Sequence, residues 1–178
     1  LIVTVTAELM GSKVCSLMLL DEKRKTLVIR ATQSLSERYR NKPPIRVGQS
    51  ISGLAVEKKR PISVSDVTRD KRYMFTDLAK REGFRSLLSV PMLLHGRAIG
   101  VINCYTSAPH DFTEEEIRIL STLANQASSA IERTRLIEEA VTAREALAAR
   151  KTIDRAKSAI AASSGMTEQE AFRLLQRQ

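Results

Sequence analysis

The 178-residue chain has no tryptophan, two cysteines, two histidines and an aromatic share of only 4%. So few aromatic residues argue against an aromatic-lined binding surface. Cys15 and Cys104 each sit inside a short apolar run, so they read as buried thiols in a reducing compartment and not as disulfide partners. No Cys-x-x-Cys or His-x-x-x-His spacing is present, which removes the common metal sites. His95 lies in a turn and His110 in a loop, neither with a sequence partner for acid–base work. Gly48 and Gly53 flank a helix start but lack the rest of a phosphate loop. The expectation is a protein that is not an enzyme, with no catalytic residue, no metal and no cofactor. No stretch is long and apolar enough to span a membrane, and residues 1–5 lack the basic start and cleavage site of a signal peptide. A cytoplasmic protein with no membrane partner is expected. The chain starts at Leu1 and not at Met, which reads as a piece of a longer gene product.

Glycine and proline are also missing from the whole of residues 111–164, between Pro109 and Gly165. That stretch opens as a helix should. Thr113 is placed to accept from the amide of Glu116, and Glu116 can reach back to the amide of Thr113, while Phe112 can pack on Ile117. Acidic residues beside the first turn suit the positive end of the helix dipole. Gly165 stands where a left-handed residue closes a helix. Unbroken, such a helix is about 75 Å long, far more than a small domain needs.

Charge is unevenly placed. The formal net charge is +9. Residues 1–107 carry 19 Lys+Arg against 9 Asp+Glu, residues 108–149 carry 4 against 8, and residues 150–178 carry 6 against 3. The excess in the first segment is scattered and reads as solvated surface; the locally dense basic run is in the last.

The order of elements up to residue 106 is antiparallel strand pairs with helices between them. Strands are expected at 14–20 and 27–32 around a charged turn, at 62–66, and at 87–94 and 98–106 around His95-Gly96. Helices are expected at 4–10, 50–59 and 73–82, with a short helix or loop at 34–41. This is an α+β arrangement. The first part resembles a GAF domain, on residues 46–55 (Arg-Val-Gly-Gln-Ser-Ile-Ser-Gly-Leu-Ala), 61–67, 85–92 and 99–103. The resemblance implies a central antiparallel sheet flanked by helices, a small-ligand pocket on one sheet face, and dimerisation through terminal helices. The pocket is expected to be walled by Leu17, Ile51, Tyr73, Phe75, Leu78, Leu88 and Val90, with Ser52, Ser89 and Tyr105 as polar handles. All of these are equally good core residues. The ligand is not identified: Asn41-Lys42 and Phe75-Thr76-Asp77-Leu78 lack the acidic pair of cyclic-nucleotide binders, and neither cysteine has the adjacent histidine of many bilin binders.

In the long helix, Leu120, Ala124, Ala127, Ile131 and Val141 follow three–four spacing and are expected to pair with a second copy as a parallel coiled coil, with Leu120 to Ile131 also packing on the first domain. The alternative is a helix folded back on its own domain. From Leu147 onward the chain resembles an ANTAR domain, on Ile153-x-x-Ala156-Lys157, Gly165-Met166-Thr167 and Glu170-Ala171-Phe172. The match stops at Gln178, before a third helix. This resemblance implies a homodimer that binds RNA hairpin loops and prevents transcription termination; no DNA partner is expected. Arg150, Lys151, Arg155, Lys157, Arg173 and Arg177 would form the RNA face. The expected organisation is a GAF core at 1–112, a connecting helix at 113–149, and a partial ANTAR bundle at 150–178. The leading functional reading is a one-component regulator in which a small-molecule ligand controls RNA binding. The alternative is a ligand-sensing GAF dimerisation module without direct RNA binding.

Overall fold

A computed structural model describes residues 2–34 and 36–165, together with Thr167 and Glu170. The chain divides into two compact units, the first ending at Ile131 and the second beginning at Glu132.

In chain order the elements are α1 (Ile2–Leu9), β1 (Val14–Asp21), β2 (Thr26–Thr32), α2 (Glu37–Arg40), β3 (Ile45–Arg46) and α3 (Ser50–Lys58). They continue with β4 (Ile62–Val64), α4 (Thr76–Glu82), β5 (Leu87–Leu94), β6 (Arg97–Tyr105) and α5 (Glu114–Ser164). The six strands form one sheet in the order β3-β2-β1-β6-β5-β4, every neighbouring pair antiparallel. The expected α+β class and hairpins are present. β3 was not anticipated, because two residues are too few to show an alternating pattern.

Side chains of a strand alternate between the two faces of its sheet, and here both faces are covered. Cys15, Leu17, Leu88, Val90, Ile102 and Cys104 point to one face, where Val3 and Ala7 of α1 and Leu120, Ala124 and Ala127 of α5 close over them. Val14, Leu87 and Tyr105 point to the other, packed with Tyr39 of α2, Ile51 of α3 and Ala79 of α4. Beside them Met18, Leu27, Ile45 and Val101 pack with Ala55 and Val56 of α3. At the centre β1 and β6 approach closely at Gly100, where a Cβ would run into the carbonyl oxygen of Met18. Only glycine fits there.

α5 starts as the sequence dictates. The Thr113 amide donates to Glu116 Oε2 at 2.7 Å and the Glu116 amide donates to Thr113 Oγ1 at 3.2 Å. His110 Nε2 adds a contact to Glu116 Oε1 at 2.8 Å. Phe112 and Ile117 are half-buried against the same core cluster. The helix runs 51 residues without a break, and Gly165 follows it in the left-handed conformation, φ +63°. In the second unit the Thr167 amide donates to Glu170 Oε2 at 2.9 Å and the Glu170 amide returns to Thr167 Oγ1 at 3.4 Å, the reciprocal bonds of a second capping box. Met166, Ala171 and Phe172 of the ANTAR-like stretch lie outside the described residues.

Candidate functional site

The sheet face covered by α2, α3 and α4 carries an unusual number of buried polar groups. Ser16 Oγ of β1 and the Tyr39 hydroxyl of α2 share a hydrogen bond of 2.7 Å. The Tyr73 hydroxyl donates to the Tyr105 hydroxyl at 3.4 Å. Phe84 stacks on Tyr105 with ring centroids 4.7 Å apart, and Tyr39 meets both rings edge-on. Burial pushes all three phenols well up, Tyr73 to about 12. They act as hydrogen-bonding groups and not as acids.

One turn along, Ser52 Oγ of α3 donates to Asn103 Oδ1 at 2.9 Å, and Ser89 Oγ of β5 donates to the same atom at 2.6 Å. Asn103 Nδ2 is buried without a partner among the described residues. Exchanging the two ends of the amide would leave the oxygen unpaired instead, so in either orientation one polar atom of Asn103 is unsatisfied. Ser50, which opens α3, holds φ +55°, uncommon for a residue with a side chain, and its Oγ accepts from the Met74 amide at 3.4 Å.

Between α2 and α4 lies a cavity of about 450 Å³ lined by Glu37, Arg38, Asn41, Lys42, Pro43, Phe75 and Leu78. Part of Lys42 is exposed, but its Nζ is buried and has no hydrogen-bond partner among the described residues. Its neighbours are the ring of Tyr39, with the centroid at 4.4 Å, and that of Phe75, at 5.5 Å. Burial lowers its pKa to about 7.

Of the residues expected to wall the pocket, Ile51, Ser52, Tyr73, Phe75, Leu78, Ser89 and Tyr105 lie on this side of the sheet. Leu17, Leu88 and Val90 do not: they are in the core under α1 and α5. The physical reason is parity. Leu88 and Ser89 are adjacent in one strand and cannot face the same way, and Leu17 pairs with Ile102, which shares the face of Leu88. The sequence reading missed Ser16, Tyr39, Asn103 and Lys42. Tyr39 and Lys42 sit in a polar stretch without periodicity, and the available signals were an aromatic residue inside an otherwise charged helix turn and the Asn41-Lys42 pair, which was set beside cyclic-nucleotide binders but not placed in the pocket.

The expected pairing residues of α5 also divide. Leu120, Ala124 and Ala127 are enclosed in the core of their own unit, as expected of the part of the helix that packs on the first domain, and leave almost no surface for a second copy. Ile131 is half-buried against the same cluster. Val141 is 51% exposed, and Leu136, Ile137 and Leu147 are exposed with it. Arg150, Lys151 and Arg155 are exposed on the second unit. Lys157 is half-buried and reaches Asp154 Oδ1 at 3.4 Å. These four bases fall within about 160° of the helix circumference. Arg173 and Arg177 lie outside the described residues.

Cys15 and Cys104 face each other across β1 and β6 with sulfurs 3.8 Å apart, both fully buried. The neighbouring thiol and burial push Cys15 up, so it stays protonated. Among the described residues no three His, Cys, Asp or Glu side chains stand together as a metal site, and no helix is long and apolar enough to cross a membrane.

Comparison with known proteins agrees with this architecture. A family model of the GAF domain matches residues 1–132, and one of the ANTAR domain matches residues 141–178. The phosphoenolpyruvate-dependent phosphotransferase system protein of Escherichia coli (strain K12) is 26% identical over 127 residues, 71% of this chain but only 17% of that protein's length. Among solved structures, the GAF domain of a phosphoenolpyruvate-protein phosphotransferase from Coxiella burnetii superposes with a TM-score of 0.70 at 25% identity, over 78% of this chain and 82% of that one. The free methionine-R-sulfoxide reductase of Neisseria meningitidis, solved with its substrate, has the same fold, with a TM-score of 0.65 at 24% identity over 76% of each chain. A covered six-stranded sheet with helices on both faces, and a family match over most of the chain, lead to one assignment: this chain belongs to the GAF domain family, with an ANTAR domain following at residues 141–178.

Proposed function

We propose that the chain is a one-component regulator in which a small molecule on the α2–α4 side of the sheet controls RNA binding by the ANTAR domain, and through it transcription antitermination. One observation carries this reading. β5 and β6 turn alternate side chains to two destinations: Ser89, Asn103 and Tyr105 to the polar face, and Leu88, Val90, Ile102 and Cys104 to the face on which α5 rests. A ligand that shifts either strand therefore also shifts the seat of the helix that bears Arg150, Lys151 and Arg155. Control of this kind needs two arrangements of α5 with different ligand affinities. The protein acts in the cytoplasm as a homodimer, paired through the exposed apolar residues Ile137, Val141 and Leu147.

The ordering of roles is a GAF core at 1–112, a connector at 113–149 and RNA contact from 150 onward, with Arg150, Lys151, Arg155 and Lys157 contacting phosphates or splayed loop bases. Titration of the natural full-length protein with a double-hairpin RNA at two salt concentrations tests it. Affinity should fall steeply with salt, and Arg150→Glu, Arg155→Glu and Lys157→Glu should each reduce both the affinity and the salt slope, the slope by about 0.7–0.9 per contact. RNA binding that is absent, or indifferent to salt and to all three variants, would leave only a ligand-sensing dimerisation module.

A further inference from the structure

Behind the wall of the cavity between α2 and α4 lies a buried amine without a hydrogen-bond partner among the described residues. Phe75 and Leu78 at the start of α4 supply apolar walls, and Glu37 and Arg38 of α2 supply charges. Lys42 lines the same cavity, yet its Nζ is buried and makes no hydrogen bond among the described residues, to Glu37 or to anything else. The rings of Tyr39 and Phe75 lie beside it, with centroids at 4.4 and 5.5 Å. Aromatic faces compensate a cation in part, but a buried ammonium is otherwise matched by an anion or it sheds its proton. The volume is that of a small organic molecule, at the low end of ligand pockets. The lining carries two cationic side chains, Lys42 and Arg38, against one carboxylate, Glu37, a net charge of +1 that one negative charge neutralises. A dianionic phosphate would leave an excess negative charge beside Glu37.

We infer that Lys42 is the anion seat of a ligand site in this cavity, and that the ligand is a small monocarboxylate whose apolar body packs on Phe75 and Leu78. The inference deepens the sensor reading above and rests on it. The incoming carboxylate takes the place of the Phe75 ring as the partner of Nζ, so that occupancy is coupled to the position of the start of α4. No bond is made or broken beyond this ion pair.

Benzoate and its uncharged counterpart benzyl alcohol serve as probes, titrated calorimetrically into the full-length protein at neutral pH. Benzoate should bind saturably at millimolar concentration and lose at least about tenfold in affinity in Lys42→Met. Benzyl alcohol should bind weakly and equally to both. A second measurement needs no variant. The ε-carbon of Lys42, followed by NMR so that Glu37, Arg38 and Tyr39 around the amine do not enter the signal, should titrate at higher pH with benzoate present and be unmoved by benzyl alcohol. The inference is overturned if benzoate does not saturate, if Lys42→Met binds it as well as the parent, or if the alcohol matches the acid. The two readings can fail separately. Benzoate binding through Lys42 without any effect on RNA affinity upholds the carboxylate site and removes ligand control. An uncharged molecule retained in the cavity through native purification removes the carboxylate and leaves the sensor.

Discussion

Replacing Lys42 by methionine should stabilise the protein, and by an amount that depends on pH. Burial takes the amine from its ordinary value of 10.5 to about 7. Between those values the unfolded chain holds a proton that the folded chain has released, so stability rises with pH at ~1.4 kcal/mol per unit. Below pH 7 both states are protonated, and the folded state carries the whole cost of a buried, unmatched ammonium. Integrated over the interval, that cost is roughly 4–5 kcal/mol as an upper bound. Two features reduce it. Part of the residue is in contact with solvent, and the Tyr39 and Phe75 rings at 4.4 and 5.5 Å return up to ~2 kcal/mol to the charged form. About 2–3 kcal/mol remains. Methionine keeps the unbranched stem without the charge, so Lys42→Met should be more stable than the parent by ~2–3 kcal/mol at pH 6, with the gain shrinking over the last ~2 pH units below the ordinary amine value of 10.5. Urea unfolding followed by tyrosine fluorescence reads this directly. The protein has no tryptophan, and its three tyrosines, Tyr39, Tyr73 and Tyr105, are all buried in the first unit. Subtracting the parent's curve cancels the titration of the tyrosines and cysteines. A difference that does not change with pH, or a variant less stable than the parent at pH 6, would refute the reasoning. A stability gain on removing the amine is what a residue retained for binding should show.

Gly100→Ala should unfold the first unit at ordinary temperature, because its Cβ meets the Met18 carbonyl oxygen, which cannot swing aside as the neighbouring Met92 Cε can; loss of the cooperative thermal transition by circular dichroism is the readout. Tyr39→Phe should cost ~1–3 kcal/mol by leaving the buried Ser16 hydroxyl unpaired, and Ser16→Ala in the same chain should restore part of it; urea denaturation of the two singles and the double measures the coupling. Ile137→Asp with Val141→Asp should convert a dimer to a monomer in sedimentation without lowering the stability of the first unit, since both side chains are more than half exposed in the single chain.

What could be read from the sequence follows from where the physics is local. The start of α5 was legible because a capping box is a contact between residues three apart, and Thr113 and Glu116 make it as drawn. The β5–β6 hairpin was legible because His95-Gly96 separates two apolar runs. The pocket was legible only in part. Choosing Leu88 and Ser89 together ignored strand alternation, a local rule, whereas Tyr39 and Lys42 become visible only when α2 folds against the sheet. Leu120, Ala124 and Ala127 were expected to meet both a second copy and their own domain, because an apolar stripe has the same spacing whether it meets another helix or its own sheet. Only the presence of α1 and the sheet beneath it decides the matter.

Strand parity at the centre of the sheet has an evolutionary consequence. Substitutions at positions 87, 89, 103 and 105 reshape the polar face alone, and those at 88, 90, 102 and 104 reshape the helix seat alone. Paralogues can therefore diverge in what they detect while their output machinery stays the same. Insertion of a single residue into β5 or β6 exchanges the two sets at a stroke, so these strands should accumulate replacements freely at one parity and tolerate no change of length.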